Sequence, residues 1–329
     1  MKSPIFIFSM PRAGSTLLQR ILLSHKSIGG TAEPWLLLPL IYMKKNQGVI
    51  SEYSSRLSHK AINDMLEETS CSDEFFYKQV RVFANGFYGK SLKDEEIFFL
   101  DKTPRYYFII DEIYEVYPNA KFIFLFRNPT HIYASILSTW CQNNFLKLYG
   151  SHNDLTEGFN KISQAYLKHK NKKNTIGIKY EDLVSNPDKL IKELQEFLEL
   201  EYDEKLKDNF IHSKIDTENI KNLGDPTGVK MYKSISKDTL HKWEKVFNTR
   251  FRKRILKRYI NNNITNSNLV AQGYDKSRIL NEIDMLNNKG KFNPLKDMLQ
   301  YLGYKCIIRF NLYNYKSKDM DWTKKRFMS

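Results

Sequence analysis

Apolar runs of five or six residues, alternating with amphipathic stretches of helical period, narrow what this chain can fold into more than any other feature. Strands are expected at 4–9 (PIFIFS), 97–101 (IFFLD), 121–126 (KFIFLF) and 175–180 (TIGIKY), with a fainter one at 28–32. A strand that is apolar at nearly every position has both faces covered, which is the condition of a parallel sheet lying between helices. Helices are expected at 14–25, 58–69, 74–89, 105–117, 129–143, 155–171, 187–198 and 237–258. Pro129 and Pro187, each preceded by asparagine, stand where a first helical residue accepts proline. The expected class is α/β: a P-loop-NTPase-like central parallel β-sheet flanked by helices, with a mainly helical C-terminal extension. Composition shifts after Trp243, and the expected division is a main domain at 1–258 and an extension of unknown role at 259–329.

Lys and Arg outnumber Asp and Glu by 52 to 37, a net charge of +15 that suits an anionic cofactor, substrate or surface. Part of the excess is a run at 245–258 (KVFNTRFRKRILKR) with seven basic residues and no acidic one, which as a helix is a solvated face or a seat for a sulfated or phosphorylated polymer. Cys71, Cys141 and Cys306 are odd in number and far apart, so neither a disulfide framework nor a zinc site is indicated. Pro11 and Arg12 interrupt the first apolar stretch before it reaches the length of a signal peptide core, and no window has the roughly 18 apolar residues of a membrane span. These features point to a soluble, cytoplasmic protein, with peripheral contact at a membrane surface left open.

Two strand-to-helix junctions carry the chemistry. In "FIFSMPRAGSTLLQRIL", residues 6–22, a turn at Gly14 delivers the N–H groups of a helix start to one point, and an anion is the natural occupant. A nucleotide triphosphatase loop would need G-x-x-x-x-G-K-[ST]. With its second glycine on Gly14, Ser9 falls on the first glycine and Ser15 on the lysine, so that signature fails. What remains is Arg12 before the turn, with Ser15 and Thr16 after it; taken alone, Ser15 could equally be a helix cap and Arg12 a surface charge. The second junction, "FLFRNPTHIYASIL" at 124–137, places Arg127 at a strand end and Ser135 about two helical turns on.

Together the two junctions resemble the sulfotransferases that use 3′-phosphoadenylyl sulfate (PAPS). That family grips the 5′-phosphosulfate with a P-R/K-S/A-G-S/T-T loop and the 3′-phosphate with an R-(x)7-S element; here these are Pro11-Arg12-Ala13-Gly14-Ser15-Thr16 and Arg127 to Ser135. "DKTPRY" at 101–106 is similar to the N-K-D-P segment of tyrosylprotein sulfotransferases, which implies Lys102 near the bridging oxygen. "KYEDLVSNPDKL" at 179–190 is similar to the family's Y-E-D/Q-L…P segment and implies Tyr180 beside the cofactor. "NLGDPTGVKMYKSISKDTLHKW" at 222–243 resembles the loop that covers the cofactor and implies Lys233 as its lysine. The resemblance spans roughly residues 4–243.

The resemblance implies transfer of a sulfuryl group from PAPS to a hydroxyl or amine, leaving adenosine 3′,5′-bisphosphate. Arg12, Glu33, Lys102, Arg127 and Tyr180 all follow expected strands, and a parallel sheet brings such residues to one edge. By analogy with in-line phosphoryl transfer, the reaction needs alignment, a base and cations where charge collects. Arg12 and the loop from Ala13 to Thr16 suit the phosphosulfate, Lys102 the leaving oxygen, and Glu33, in "GGTAEPWLLL", the acceptor proton, where the tyrosylprotein branch also places a glutamate. A carboxylate before Pro34 could also simply cap a helix. Trp35 and Tyr42 stand near enough in sequence to touch an acceptor, although burial is the ordinary fate of both. No metal ligand set is evident, and neither His25 nor His131 is placed as the base.

The expected acceptor is a hydroxyl-bearing saccharide or glycolipid, followed by a small metabolite or a peptide tyrosine; nucleic acid is not expected. Two other classes stand beside this reading. A P-loop kinase of small molecules would bind ATP with magnesium, and a non-catalytic polyanion-binding protein would keep the fold without turnover.

Overall fold

A computed structural model of the chain describes residues 2–93, 95–209 and 235–312. By its internal contacts the chain separates into two units. One joins Met1–Arg127 to Asn160–Lys237, the other Asn128–Phe159 to Asp238–Ser329.

The first unit holds a five-stranded sheet of β1 (Ile5–Ser9), β2 (Ile28–Gly30), β3 (Phe98–Asp101), β4 (Lys121–Phe126) and β5 (Thr175–Lys179). Their spatial order is β2-β3-β1-β4-β5, and every pairing is parallel. All five strands stand where the apolar runs place them. β1 is buried at every position, as a central strand covered on both faces must be. Its register against β4 sets Phe6 beside Phe122 and Phe8 beside Phe124, and the rings of Phe6, Phe8, Phe122 and Tyr114 pack into one aromatic core.

The chain leaves β1 toward β2 and β3 on one side and reaches β4 and β5 on the other, so β1 and β4 adjoin at the point where the winding reverses. Crevices at such a point, beyond the carboxyl ends of the strands, are where open α/β sheets take ligands. The helix Ser15–Leu23 follows β1, and Asp73–Lys90 packs against Ile110–Val116.

Every regular element of the second unit is a helix among its described residues. Several helices differ from the sequence expectation. The stretch 129–143 is α-helical only over Pro129–Ser135 and widens into a π-turn at Ile136–Trp140. The stretch 105–117 divides into a 3-10 turn, Pro104–Phe108, and a helix, Ile110–Val116. The expected helix 237–258 is broken before Thr249, whose hydroxyl accepts the Arg252 N–H and starts a new helix, Arg250–Asn263. The boundary expected after residue 258 falls inside that helix. Asn266–Ala271, Lys276–Met285 and Pro294–Arg309 follow as further helices.

Candidate functional site

The carboxyl edge of the sheet is built from loop residues that the strands deliver in pairs. After β1 the chain turns through Arg12 and Gly14, both in the left-handed region at φ 66° and 97°. Gly14 is the N-cap of the helix Ser15–Leu23, so Ser15 lies inside the helix and is not its cap. No side chain caps this end. Among the described residues no acceptor is recorded for the N–H groups of Gly14, Ser15 and Thr16 or for the hydroxyls of Ser15 and Thr16. Buried donors without acceptors at a helix start are the donor set an anion needs.

Tyr180, the first residue of the helix Tyr180–Ser185 after β5, lays its ring across this turn. A Cβ on Gly14 would come within 2.2 Å of the Tyr180 ring, so glycine is required there by space as well as by φ. The ring also neighbours the Arg127 guanidinium, 4.2 Å from its centroid. Arg127, released at the end of β4, also donates through Nη1 to the Arg12 carbonyl at 2.9 Å. Arg12, Gly14, Arg127 and Tyr180, separated by up to 168 positions in the chain, therefore form one contiguous cluster in the first unit.

Beyond β2 and β3 lies a second cluster. Lys102 Nζ donates to Glu33 Oε1 at 2.7 Å, with side-chain exposures of 2% and 9%. Trp35 Nε1 donates to the other Glu33 oxygen at 3.1 Å. The next helix begins at Leu37 with Leu36 as its N-cap, so Glu33 does not cap it.

The Glu33–Lys102 pair stands above a buried network that sequence reasoning missed. Asp101, wholly buried, accepts hydrogen bonds from Tyr88, from Tyr106 at 2.9 Å and from Thr103 at 3.2 Å. Burial raises the Asp101 carboxyl to about 6, against the pull of the three hydroxyls and Lys102. Burial beside this carboxyl pushes Tyr88 and Tyr106 well above the ordinary phenol range, so both remain donors. The only signal in the sequence is the spacing Asp-Lys-Thr at a strand end. Alternation sends Asp101 and Thr103 to one face and Lys102 to the other.

The remaining expected site residues are distributed differently. Ser135 belongs to the second unit and ends the α-helical turn whose carbonyl accepts from Thr139 as the helix widens. Its hydroxyl faces that of Thr139 at 3.5 Å. Lys233 lies outside the described residues. Trp35 is drawn to Glu33 through its indole N–H, and Tyr42 is partly buried at the end of the helix Leu37–Tyr42. No helix among the described residues is long and apolar enough to cross a membrane.

Comparison with known proteins gives the family and the fold. The family model described as "Sulfotransferase family" matches residues 4–204. The chain is 35% identical over 143 residues to nodulation protein NoeE of Sinorhizobium fredii, covering 41% of this chain and 31% of that one. It is 25% identical over 248 residues to protein-tyrosine sulfotransferase A of Caenorhabditis elegans, covering 73% of this chain and 60% of that one. It thus spans between about a third and three-fifths of the length of these curated relatives. Among solved structures, the sulfotransferase domain from the curacin biosynthetic pathway superposes with a TM-score of 0.51 at 20% identity, over 79% of this chain and 97% of that domain, a likeness of fold. Since the matched segment takes in all five strands, the Arg12–Tyr180 cluster and the Glu33–Lys102 pair, the chain belongs to the sulfotransferase family.

Proposed function

We propose that the protein transfers a sulfuryl group from PAPS to a hydroxyl or amine acceptor. The observation that carries this reading is the 2.9 Å bond from the Arg127 guanidinium to the Arg12 carbonyl, which joins two anion-binding elements at the carboxyl edge of one sheet. A donor set of helix N–H groups, hydroxyls and arginines, with Gly14 leaving room for a close backbone approach, fits a phosphate-bearing nucleotide.

When bound, PAPS supplies the activated sulfuryl group. Arg12 and the backbone from Ala13 to Thr16 hold the phosphosulfate end. Arg127 and Ser135 are assigned to the 3′-phosphate, with Tyr180 beside the nucleotide and Lys233 in the covering segment. Glu33 takes the acceptor proton. Lys102 has three donors and one recorded acceptor, Glu33, so its ammonium can turn toward negative charge on the leaving phosphate. That turn withdraws a donor from Glu33 as it accepts a proton, which makes the carboxylate a stronger base when it is needed.

For the acceptor we favour a saccharide or glycolipid, followed by a small metabolite or a peptide tyrosine. The net charge of +15 favours an acceptor with anionic character, and within the second unit Arg250, Arg254 and Arg258 form an exposed row on one helix face, without ion pairs among the described residues. Adenosine 3′,5′-bisphosphate is expected to bind at micromolar concentration without magnesium, by calorimetry. Glu33→Gln is expected to keep that affinity and lose about 10²- to 10⁴-fold in transfer from labelled donor. Binding of ATP with magnesium but not of the bisphosphate would overturn the reading.

A further inference from the structure

Glu33 sits in a segment, residues 31–36, with no regular secondary structure of its own, between β2 and the helix Leu37–Tyr42. Such a segment positions a base only if its backbone is tied down from outside. Trp35 makes this more demanding, because its φ of 54° is a left-handed conformation costly for a bulky residue.

The ties are on both sides of Glu33. On the near side, the buried Gln19 amide donates to the carbonyls of Thr31 at 2.8 Å and Ala32 at 3.0 Å. On the far side, the Trp35 N–H donates to Thr103 Oγ1 at 3.2 Å and the Leu37 N–H donates to the Tyr106 hydroxyl at 3.3 Å. Thr103 and Tyr106 are both fully buried, and each hydroxyl has a single proton. Both protons go to Asp101, from Thr103 to Oδ1 and from Tyr106 to Oδ2. A hydroxyl whose proton is committed to a carboxylate turns only lone pairs toward its other neighbour. Here that neighbour is a backbone N–H of the Glu33 segment in both cases.

We propose that Asp101 is the positioning residue of the proton-accepting Glu33, acting through the hydroxyls of Thr103 and Tyr106 to hold the backbone at Trp35 and Leu37. The proposal rests on Glu33 being the base. Held in this way, the left-handed Trp35 presents its indole N–H to Glu33 Oε2, while Lys102, on the opposite face of the same strand end, presents its ammonium to Oε1. The carboxylate is thus fixed from two directions by neighbours that the Asp101 network orients. Asp101 and Thr103 are wholly buried. Their work is to keep two hydroxyls pointing the right way.

Thr103 gives the cleanest test, because Thr103→Val keeps the shape and removes the hydroxyl, whereas Thr103→Ser keeps the hydroxyl. Thr103→Val and Tyr106→Phe are expected to lower kcat roughly 10- to 100-fold, the scale of a misplaced catalytic group, with the affinity for adenosine 3′,5′-bisphosphate within about twofold of wild type. Thr103→Ser is expected to restore most of the rate. Hydrogen exchange supplies a readout independent of turnover: the Trp35 and Leu37 amides lose protection in Thr103→Val and Tyr106→Phe respectively, while the amides of β1 keep theirs. Wild-type kcat together with unchanged protection at Trp35 in Thr103→Val sinks the proposal, as does a rate loss matched by an equal loss of bisphosphate affinity. If the wild-type protein transfers no sulfuryl group at all, the function assigned to Glu33 fails, while the exchange arm still decides whether Thr103 and Tyr106 hold the segment.

Discussion

Two buried ion pairs, one in each unit, have opposite designs. In the helical unit Arg252 is fully buried and saturated. Nε and Nη2 donate to the two Asp297 oxygens at 2.7 and 2.9 Å, and the other donors reach the Val246 carbonyl and the side chain and carbonyl of Asn143. Its guanidinium also lies 3.3 Å from the centroid of Phe292. In the sheet unit Lys102 is as deeply buried, yet among the described residues only one of its three donors has an acceptor, Glu33. Burying an ion pair costs several kcal/mol per ion, and the cost is recovered only when the remaining donors and lone pairs are satisfied. Arg252–Asp297 meets that condition and ties the helix Arg250–Asn263 to Pro294–Arg309. Lys102–Glu33 does not meet it among the described residues, which suits the exchange of partners proposed for it.

The comparison can be broken by substitution. Arg252→Ala leaves Asp297 buried and unpaired, and a loss of about 3–5 kcal/mol in unfolding free energy is expected from urea titration. Lys102→Ala is expected to cost about 1–2 kcal/mol in the same assay, since Glu33 keeps its bond from Trp35 and some access to water, while transfer falls about 10²- to 10³-fold. Equal destabilisation by the two substitutions would erase the distinction between a saturated pair and an open one.

A pH-dependent effect concerns Asp101, which has no ion pair among the described residues and is held by hydroxyls. Its carboxyl is raised to about 6 in the folded chain from an ordinary value of 3.8. The folded state therefore holds this proton more tightly, so the group stabilises fully below about 4 and loses that contribution as pH rises through 6. The difference in unfolding free energy between wild type and Asp101→Asn is expected to favour wild type by on the order of 2–3 kcal/mol more at pH 4 than at pH 7. A difference that is flat across that range would mean that Asp101 titrates normally.

Much of the sheet was legible in the sequence because β1 and β4 are apolar at nearly every position, a pattern that only two-sided burial explains. The loop from Arg12 to Thr16 was legible because a glycine turn before a helix start is a local device. The breaks at Ser135 and before Thr249 were not, since apolar periodicity continues across both and only the hydrogen bonds differ. Asp101 was overlooked for a similar reason: its three partners, at positions 88, 103 and 106, are gathered by packing, and only one is its near neighbour along the strand.

From the sequence alone came the parallel α/β class, the two strand-to-helix junctions and the candidate residues Arg12, Glu33, Lys102, Arg127 and Tyr180, because each depends on short-range pattern or on the rule that parallel strands end at one edge. Tertiary structure alone decided which of these touch: that Arg127 reaches both the Arg12 carbonyl and the Tyr180 ring, that Lys102 faces Glu33, and that Asp101 lies next to Lys102 in a buried hydroxyl network. Such contacts depend on strand order and on the directions of buried hydrogen bonds, which follow from packing the whole unit and are written in no single stretch of residues.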